Sequence, residues 1–319
     1  EIFSMFRHQD LMTETHYVDR LPEDAQAVIY QMSIGSPVAD RWAHHPGKKI
    51  ANYHNITPIS LVGKWDGLLA AEVQLGRDQM ARYATICDHA ICDSDFNKAE
   101  LDALGYQSTE TVPVLFDISE VKADKKTLAR LRRGRHGTQV LFVGRIAPNK
   151  GHHDLVAAVR TLRSIHQDDA HLHIVGTDGP PGYRRAMGTI VSHAGMREHV
   201  TFHGSVTQEE LVAHYQAADV FCCLSDHEGF CVPVIEAMHH GLPVVAYDCT
   251  AVGETVDDGG LLLPQKNPLI VASALHRAST DEYLADRLRE AGRRRATDFS
   301  RPVTEARFRD RFLELMGPT

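Results

Sequence analysis

From Gln139 onward the chain alternates short apolar runs with polar-faced helical stretches, and this alternation limits its fold more than any other feature. Residues 140–143, 172–175, 200–202, 220–224, 244–247 and 261–263 read as strands, and 152–166, 182–195, 208–217, 233–240 and 268–278 as helices. Continuously apolar strands separated by helices imply a parallel sheet buried on both faces. This half is therefore expected to be a doubly wound α/β domain.

The first half repeats the theme, with strands expected around 27–30, 50–53, 89–92 and 111–115 and helices around 68–85 and 95–103. Such a domain ordinarily opens with a strand, a tight loop and a helix, and no such unit stands ahead of residue 27. The chain begins at Glu1 with no cleavable leader pattern, so it reads as part of a longer one, with roughly 20 to 40 residues of strand, loop and helix missing. A length of 319 residues suits two domains. The expected division is 1–121 for the first Rossmann-like domain, a basic linker at 122–136, and 137–300 for the second. A C-terminal helix at 303–316 is the remaining element. Two facing parallel sheets would each offer a ligand site beyond their strands' carboxyl ends, which suggests an enzyme with two substrates.

Composition narrows the function classes. A net charge of -8 argues against non-specific nucleic-acid binding, which needs a cationic surface. No apolar run approaches the ~18 residues of a membrane span. The six cysteines, Cys87, Cys92, Cys222, Cys223, Cys231 and Cys249, form no CxxC pair, and four lie in or beside apolar runs. They read as buried free thiols in a reducing cytoplasm. The basic stretch 122–135 reads as a solvated face, or else as a surface for an anionic membrane or acceptor.

Two constellations carry chemistry. In Leu141-Phe-Val-Gly144-Arg145-Ile-Ala-Pro-Asn-Lys150-Gly151 a strand runs into a glycine and presents two cations before a helix. Arg, Lys and a helix start can together hold a diphosphate, although the same residues also read as surface charges beside an ordinary turn. The second is Ser225-Asp-His-Glu228-Gly229-Phe230-Cys231-Val232-Pro233-Val-Ile-Glu236-Ala-Met, after the 220–224 strand. Pro233 suits a first helical turn, and free amides around 230–232 would form an anion site. Two carboxylates eight residues apart, Glu228 and Glu236, would bracket a ligand's hydroxyls. On helix position alone, a surface acid complementing the dipole is the commoner reading of Glu236.

Gly-Arg-(four residues)-Lys-Gly, Ala-Asp219-Val, Glu-Gly-Phe-(five residues)-Glu-Ala-Met, Gly241-Leu-Pro-Val-Val and Gly253-Glu254 resemble, in order and spacing, the retaining glycosyltransferases of family 4. A further similarity is to antibiotic-pathway members of the avilamycin type. The resemblance implies a GT-B fold, with two Rossmann-like domains facing across a cleft, and a nucleoside diphosphate sugar, UDP or GDP, as co-substrate in place of any cofactor. It assigns Arg145 and Lys150 to the donor diphosphate, Glu228 to the donor sugar, Glu236 to the ribose, and backbone at Phe230, Cys231 and Val232 to the distal phosphate or sugar. The nucleobase is expected near His203, Gly204 and Ser205. In the first domain, Tyr53-His54-Asn55-Ile-Thr-Pro58 resembles the segment whose histidine faces the donor sugar. Ser94 and Asn97, in Cys92-Asp-Ser-Asp-Phe-Asn97, match a family loop on the acceptor side. The family's Gly-rich loop after its first strand is missing from this sequence.

The implied reaction is transfer to a hydroxyl of a saccharide or natural-product acceptor. A lipid-linked acceptor and a non-catalytic sugar-nucleotide binder are the alternatives. The chain has twenty histidines but no HExxH and no Cys/His cluster in its sequence, so no metal is expected. A nicotinamide oxidoreductase would need a GxGxxG turn, which is absent.

Overall fold

The structure is a computed structural model that describes every residue except His8, Phe116, 118–120 and 317–319. The chain divides into two compact units, Glu1–Ile59 with Gly67–Pro113 and Arg307–Thr319, and Ser60–Asp66 with Val114–Ala306.

The first unit holds a small parallel pair, β1 (Ile2–Ser4) and β2 (Thr15–Tyr17), and a four-stranded parallel sheet. That sheet runs in sequence order through β3 (Ala27–Met32), β4 (Lys48–Tyr53), β5 (His89–Cys92) and β6 (Thr109–Thr111). β6 stops short of the expected 111–115 because Pro113 has no N–H to continue the ladder. Ile50, Ile91 and Val112 pack under Phe308, Phe312 and Leu315 of the Arg301–Met316 helix.

The second unit is a six-stranded, all-parallel sheet of β7 (Gln139–Val143), β8 (His171–Val175), β9 (Val200–Gly204), β10 (Val220–Cys223), β11 (Val244–Tyr247) and β12 (Leu261–Leu263). Its spatial order is β12-β11-β10-β7-β8-β9, so the winding reverses between β7 and β10. Alternate residues face opposite layers. Val140, Phe142 and Val245 pack against Leu155, Val159, Leu162 and Leu275, whereas Leu141, Phe221 and Val244 pack against Tyr215, Ile235 and Met238. Burial on both sides is what the uninterrupted apolar runs require.

The 122–136 stretch, expected as a linker, is built into this unit. Asp124 caps the Lys125–Arg132 helix by accepting from Thr127 N, and its own amide donates to Glu209 O at 2.9 Å. Arg132 and Arg135 donate to Gln216 O and Ala217 O, and Arg135 also pairs with Asp219, so part of the basic charge anchors this helix to the next layer. Among the described residues no helix is long and apolar enough to cross a membrane.

Candidate functional site

Ligands of open parallel sheets bind outside the carboxyl ends of the strands where the winding reverses. In the second unit that point lies between β7 and β10, whose following loops, 144–151 and 224–231, carry both chemical constellations. The first loop leaves β7 through Gly144 and turns through the short 3-10 helix Pro148–Lys150 to Gly151. Gly151 is left-handed (φ 63°), and a Cβ there would overlap the carbonyl oxygen of Leu224 at the end of β10. Only glycine allows this approach. Asn149, buried, fastens the two loops further: its Nδ2 donates to His227 O at 3.1 Å and its carbonyl accepts from Asp226 N at 2.8 Å.

This clamp brings Lys150 to Glu228. Lys150 Nζ lies 2.7 Å from both Glu228 oxygens, and Ser225 Oγ donates to Oε1 at 2.7 Å. The Glu228 amide donates to Thr250 Oγ1 at 2.9 Å, which fixes the loop from the side of β11. Burial alone would push the Lys150 ammonium down, but the Glu228 charge and the neighbouring thiols hold it above its ordinary value. Arg145 is exposed and makes no hydrogen bond or ion pair with the described residues. Beside the clamp, Lys266 bridges Asp154 and Asp226 at 2.6 Å each.

Gly229 is half-buried in the loop, and Phe230 turns its ring into the core against Phe299, 5.3 Å away. Cys231 is left-handed (φ 82°) and begins the Val232–His239 helix, with Pro233 in its first turn. The first-turn amides of such a helix have no acceptors within it, so its amino end favours an anion. Glu236 lies one turn in, and its Oε2 accepts from Tyr215 Oη at 2.8 Å. Burial raises the Glu236 carboxyl above its usual range, and the Tyr215 bond opposes that rise. The two glutamates thus differ in kind, one held by a cation and the other by a phenol.

Cys223 and Cys231 meet at 3.8 Å between sulfurs, and with Glu228 they form the one group among the described residues whose donor atoms could converge on a metal ion. The hydrogen bond from Cys231 holds the Cys223 thiol below its ordinary range and drives Cys231 above it. Sequence reading, finding no cysteine cluster, missed this group because its members are joined only through the folded loop.

His203 occupies a different setting from the strand-end loop expected of it. Its Nε2 lies 3.0 Å from His173 Nδ1, and its ring packs 4.3 Å from that of His214. On β9 its side chain shares a face with Thr201, which bonds His171, so the alternation of the strand carries it to a histidine cluster. Burial pushes His203 down to about 4, and His173 and His214 to about 3. Gly204 is left-handed (φ 70°) and accepts from Gly176 N through its carbonyl, with open space where a side chain would stand.

In the first unit, His54 follows β4. Its Nδ1 lies 2.9 Å from Asp93 Oδ2, and its Nε2 meets Gln31 Oε1. Burial raises the Asp93 carboxyl, and the His54 bond opposes it. Ser94 caps the Asp95–Ala103 helix, accepting from Asn97 N at 3.2 Å. Asn97 is fully buried and spans Asn55 Nδ2 and Tyr53 O, at 2.9 and 3.4 Å. The Asn97 side chain therefore holds the 53–55 turn that carries His54, while Ser94 caps the helix that carries Asn97.

A parallel α/β sheet with two carboxylates and two cations gathered at its switch point defines a protein of the Rossmann-like class. The family described as Glycosyl transferases group 1 matches residues 125–295, more than half of the chain, and the chain belongs to that family. It is 30% identical over 217 residues to the D-inositol 3-phosphate glycosyltransferase of Jonesia denitrificans, covering 66% of this chain and 50% of the relative. It is 34% identical over 198 residues to the GDP-mannose-dependent alpha-(1-6)-phosphatidylinositol monomannoside mannosyltransferase of Mycobacterium tuberculosis, covering 58% and 50%. The chain thus spans about half the length of these curated relatives. Among solved structures it is similar to a sucrose-phosphate synthase from Thermosynechococcus elongatus (TM-score 0.73, 24% identity, 88% of this chain and 71% of that one). It is also similar to an Anabaena protein crystallised with UDP and glucose (TM-score 0.72, 17% identity, 91% and 78%). The fold is GT-B, as the sequence leads one to expect.

Proposed function

We propose that the chain is a retaining glycosyltransferase that moves a sugar from a nucleoside diphosphate to an acceptor hydroxyl, with no metal needed. The observation that carries this reading is the Lys150–Glu228 pair at the switch point, with Arg145 uncommitted five residues from Lys150, in a chain of this family. Arg145 and Lys150 hold the donor diphosphate, and the amino end of the Val232–His239 helix receives the remaining negative charge. Glu228 accepts from sugar hydroxyls and Glu236 from the ribose. His54, its ring fixed by Asp93, is the first unit's contribution to substrate binding.

The chemistry follows from charge. Breaking the anomeric C–O bond leaves an oxocarbenium-like sugar and a nucleoside diphosphate whose growing charge the two cations stabilise. The acceptor oxygen attacks from the face the diphosphate leaves, and the departing phosphate oxygen takes the acceptor's proton. Since Lys150 reaches the phosphate only by loosening from Glu228, donor binding exchanges one ion pair for another and frees Glu228 for the sugar.

The donor base is uridine or guanosine: UDP is bound in the Anabaena structure, and GDP-mannose stands in the name of the mycobacterial relative. The acceptor is a saccharide or natural product, including one of the antibiotic type. A second reading, a lipid-linked acceptor reached through the basic 122–135 stretch, draws on the phosphatidylinositol in that relative's name. The reaction belongs in the cytoplasm, where the reduced thiols and sugar nucleotides are expected. A thermal-shift panel of UDP, GDP, ADP, dTDP and NAD, with magnesium or EDTA, tests the reading. One nucleoside diphosphate should stabilise the protein regardless of metal, by about 2.7 kcal/mol at 100 times its Kd. A shift with NAD alone, or with none of them, contradicts it.

A further inference from the structure

Cys223 closes β10, and Cys231 takes the left-handed position that opens the Val232–His239 helix, so the connection between them folds back and sets the sulfurs 3.8 Å apart. Both thiols are buried, and Ser225 Oγ lies 3.4 Å from Cys223 Sγ. The donor atoms of Cys223, Cys231 and Glu228 all fall within 4.8 Å of one another. Tetrahedral zinc binds thiolate sulfur at about 2.3 Å, which sets the sulfur–sulfur edge of its coordination at about 3.8 Å. Contact between two packed thiols alone would give a similar spacing. A carboxylate oxygen within reach of both, held by Lys150 and Ser225, is the additional feature that packing does not require.

We propose that Cys223, Cys231 and Glu228 form a binding site for a thiophilic divalent cation, zinc in the first instance, occupied in competition with the Lys150–Glu228 ion pair. Binding replaces two S–H bonds with two Zn–S bonds and releases two protons. One Glu228 oxygen turns from Lys150 to the metal, water fills the fourth position, and no electron is transferred. Two sulfur donors select zinc or cadmium over magnesium. The site therefore differs from the magnesium that many phosphate-binding enzymes use. That occupancy blocks sugar transfer rests on the reading of Glu228 as the donor-sugar contact; the metal site itself stands without it.

Cobalt(II) titrated into the full chain tests the site. One equivalent should give a near-ultraviolet sulfur-to-cobalt charge-transfer band and intense tetrahedral bands in the visible, both bleached by one equivalent of zinc. The bands should vanish in Cys223→Ser and Cys231→Ser and persist in Cys222→Ser. Should either serine variant fail to fold, X-ray absorption on the zinc-loaded wild-type chain serves instead, with two sulfur neighbours at about 2.3 Å expected. A cobalt spectrum without sulfur bands, bands that survive both substitutions, or a zinc shell of nitrogen and oxygen alone overturns the proposal. Sulfur bands together with undiminished sugar transfer would keep the metal site and refute Glu228 as the sugar contact.

Discussion

Lys150 Nζ sits 2.7 Å from each carboxylate oxygen of Glu228, although the two residues are 78 positions apart and come from loops after different strands. The pair is nearly buried, with side-chain exposures of 22% and 10%, so each charge depends on the other. On the function proposed above, donor binding is an exchange of partners within a preformed site.

Removing one partner strands the other. Glu228→Ala or Lys150→Met should cost about 3–5 kcal/mol of stability, as for other broken buried pairs. The double variant should cost less than the sum, which urea unfolding of all four proteins would measure. Lys150 is held above its ordinary 10.5, so its contribution is complete below about that pH and is lost as pH rises through the folded-state value. Additive losses would show that the two side chains are independent.

Glu236 has the same sign of linkage in a lower pH window, from burial rather than from a partner's charge. Its carboxyl is raised above 4.5 by burial, so the unfolded chain ionises first and stability falls as pH rises from 4.5 through the folded value. Glu236→Gln keeps an acceptor for Tyr215 while removing that charge. It should raise the unfolding midpoint at neutral pH and weaken nucleotide binding. A lower midpoint would mean the carboxylate is already stabilised by groups other than Tyr215.

The histidine cluster gives an acid-side signature. His173, His203 and His214 are depressed to about 3 to 4, so they stay neutral in the fold while the unfolded chain takes up protons below 6.5. Their contribution is full above pH 6.5 and lost as pH falls from there through the folded values. These three add to the slope of stability against pH between these limits, alongside the likewise depressed His152 and His240, and His173→Gln should reduce it by about one proton. A flat profile from pH 6.5 to 4.5 would contradict the burial of these rings.

Gly151 is the hinge of the clamp. Gly151→Ala adds a side chain at a left-handed position against the Leu224 carbonyl, which is backbone and has nowhere to go. The left-handed cost alone is about 1–2 kcal/mol. Nucleotide affinity should fall with stability, because Lys150 is the preceding residue. Calorimetric titration of the variant would check this, and unchanged affinity would separate the turn from the site.

Residue type and burial explain what could be read from the sequence. The strands of the second unit were legible because both faces are buried, so Val140-Leu141-Phe142 and Val244-Val245 are apolar without a break. The helix Glu282–Thr297 was not, because its buried face offers one large apolar side chain, Leu288, beside the small Ala285, Gly292 and Ala296, all set among arginines. Arg145, Lys150, Glu228 and Glu236 stood out by spacing. Tyr215, Asn149 and Lys266 did not, since their partners lie 21, 78 and 40 residues away and only the fold unites them. His203 could have been placed from the two-residue alternation of β9, which puts it beside Thr201 on one face.

The most direct test of the account is calorimetric titration of UDP and GDP into the wild-type chain and Arg145→Ala. Arg145 makes no bond with the described residues, so its loss should leave the fold intact. Affinity for the preferred nucleotide should drop about 10- to 150-fold, the worth of a charge-assisted hydrogen bond. Equal affinity in the two proteins would place the diphosphate elsewhere and contradict the site described above.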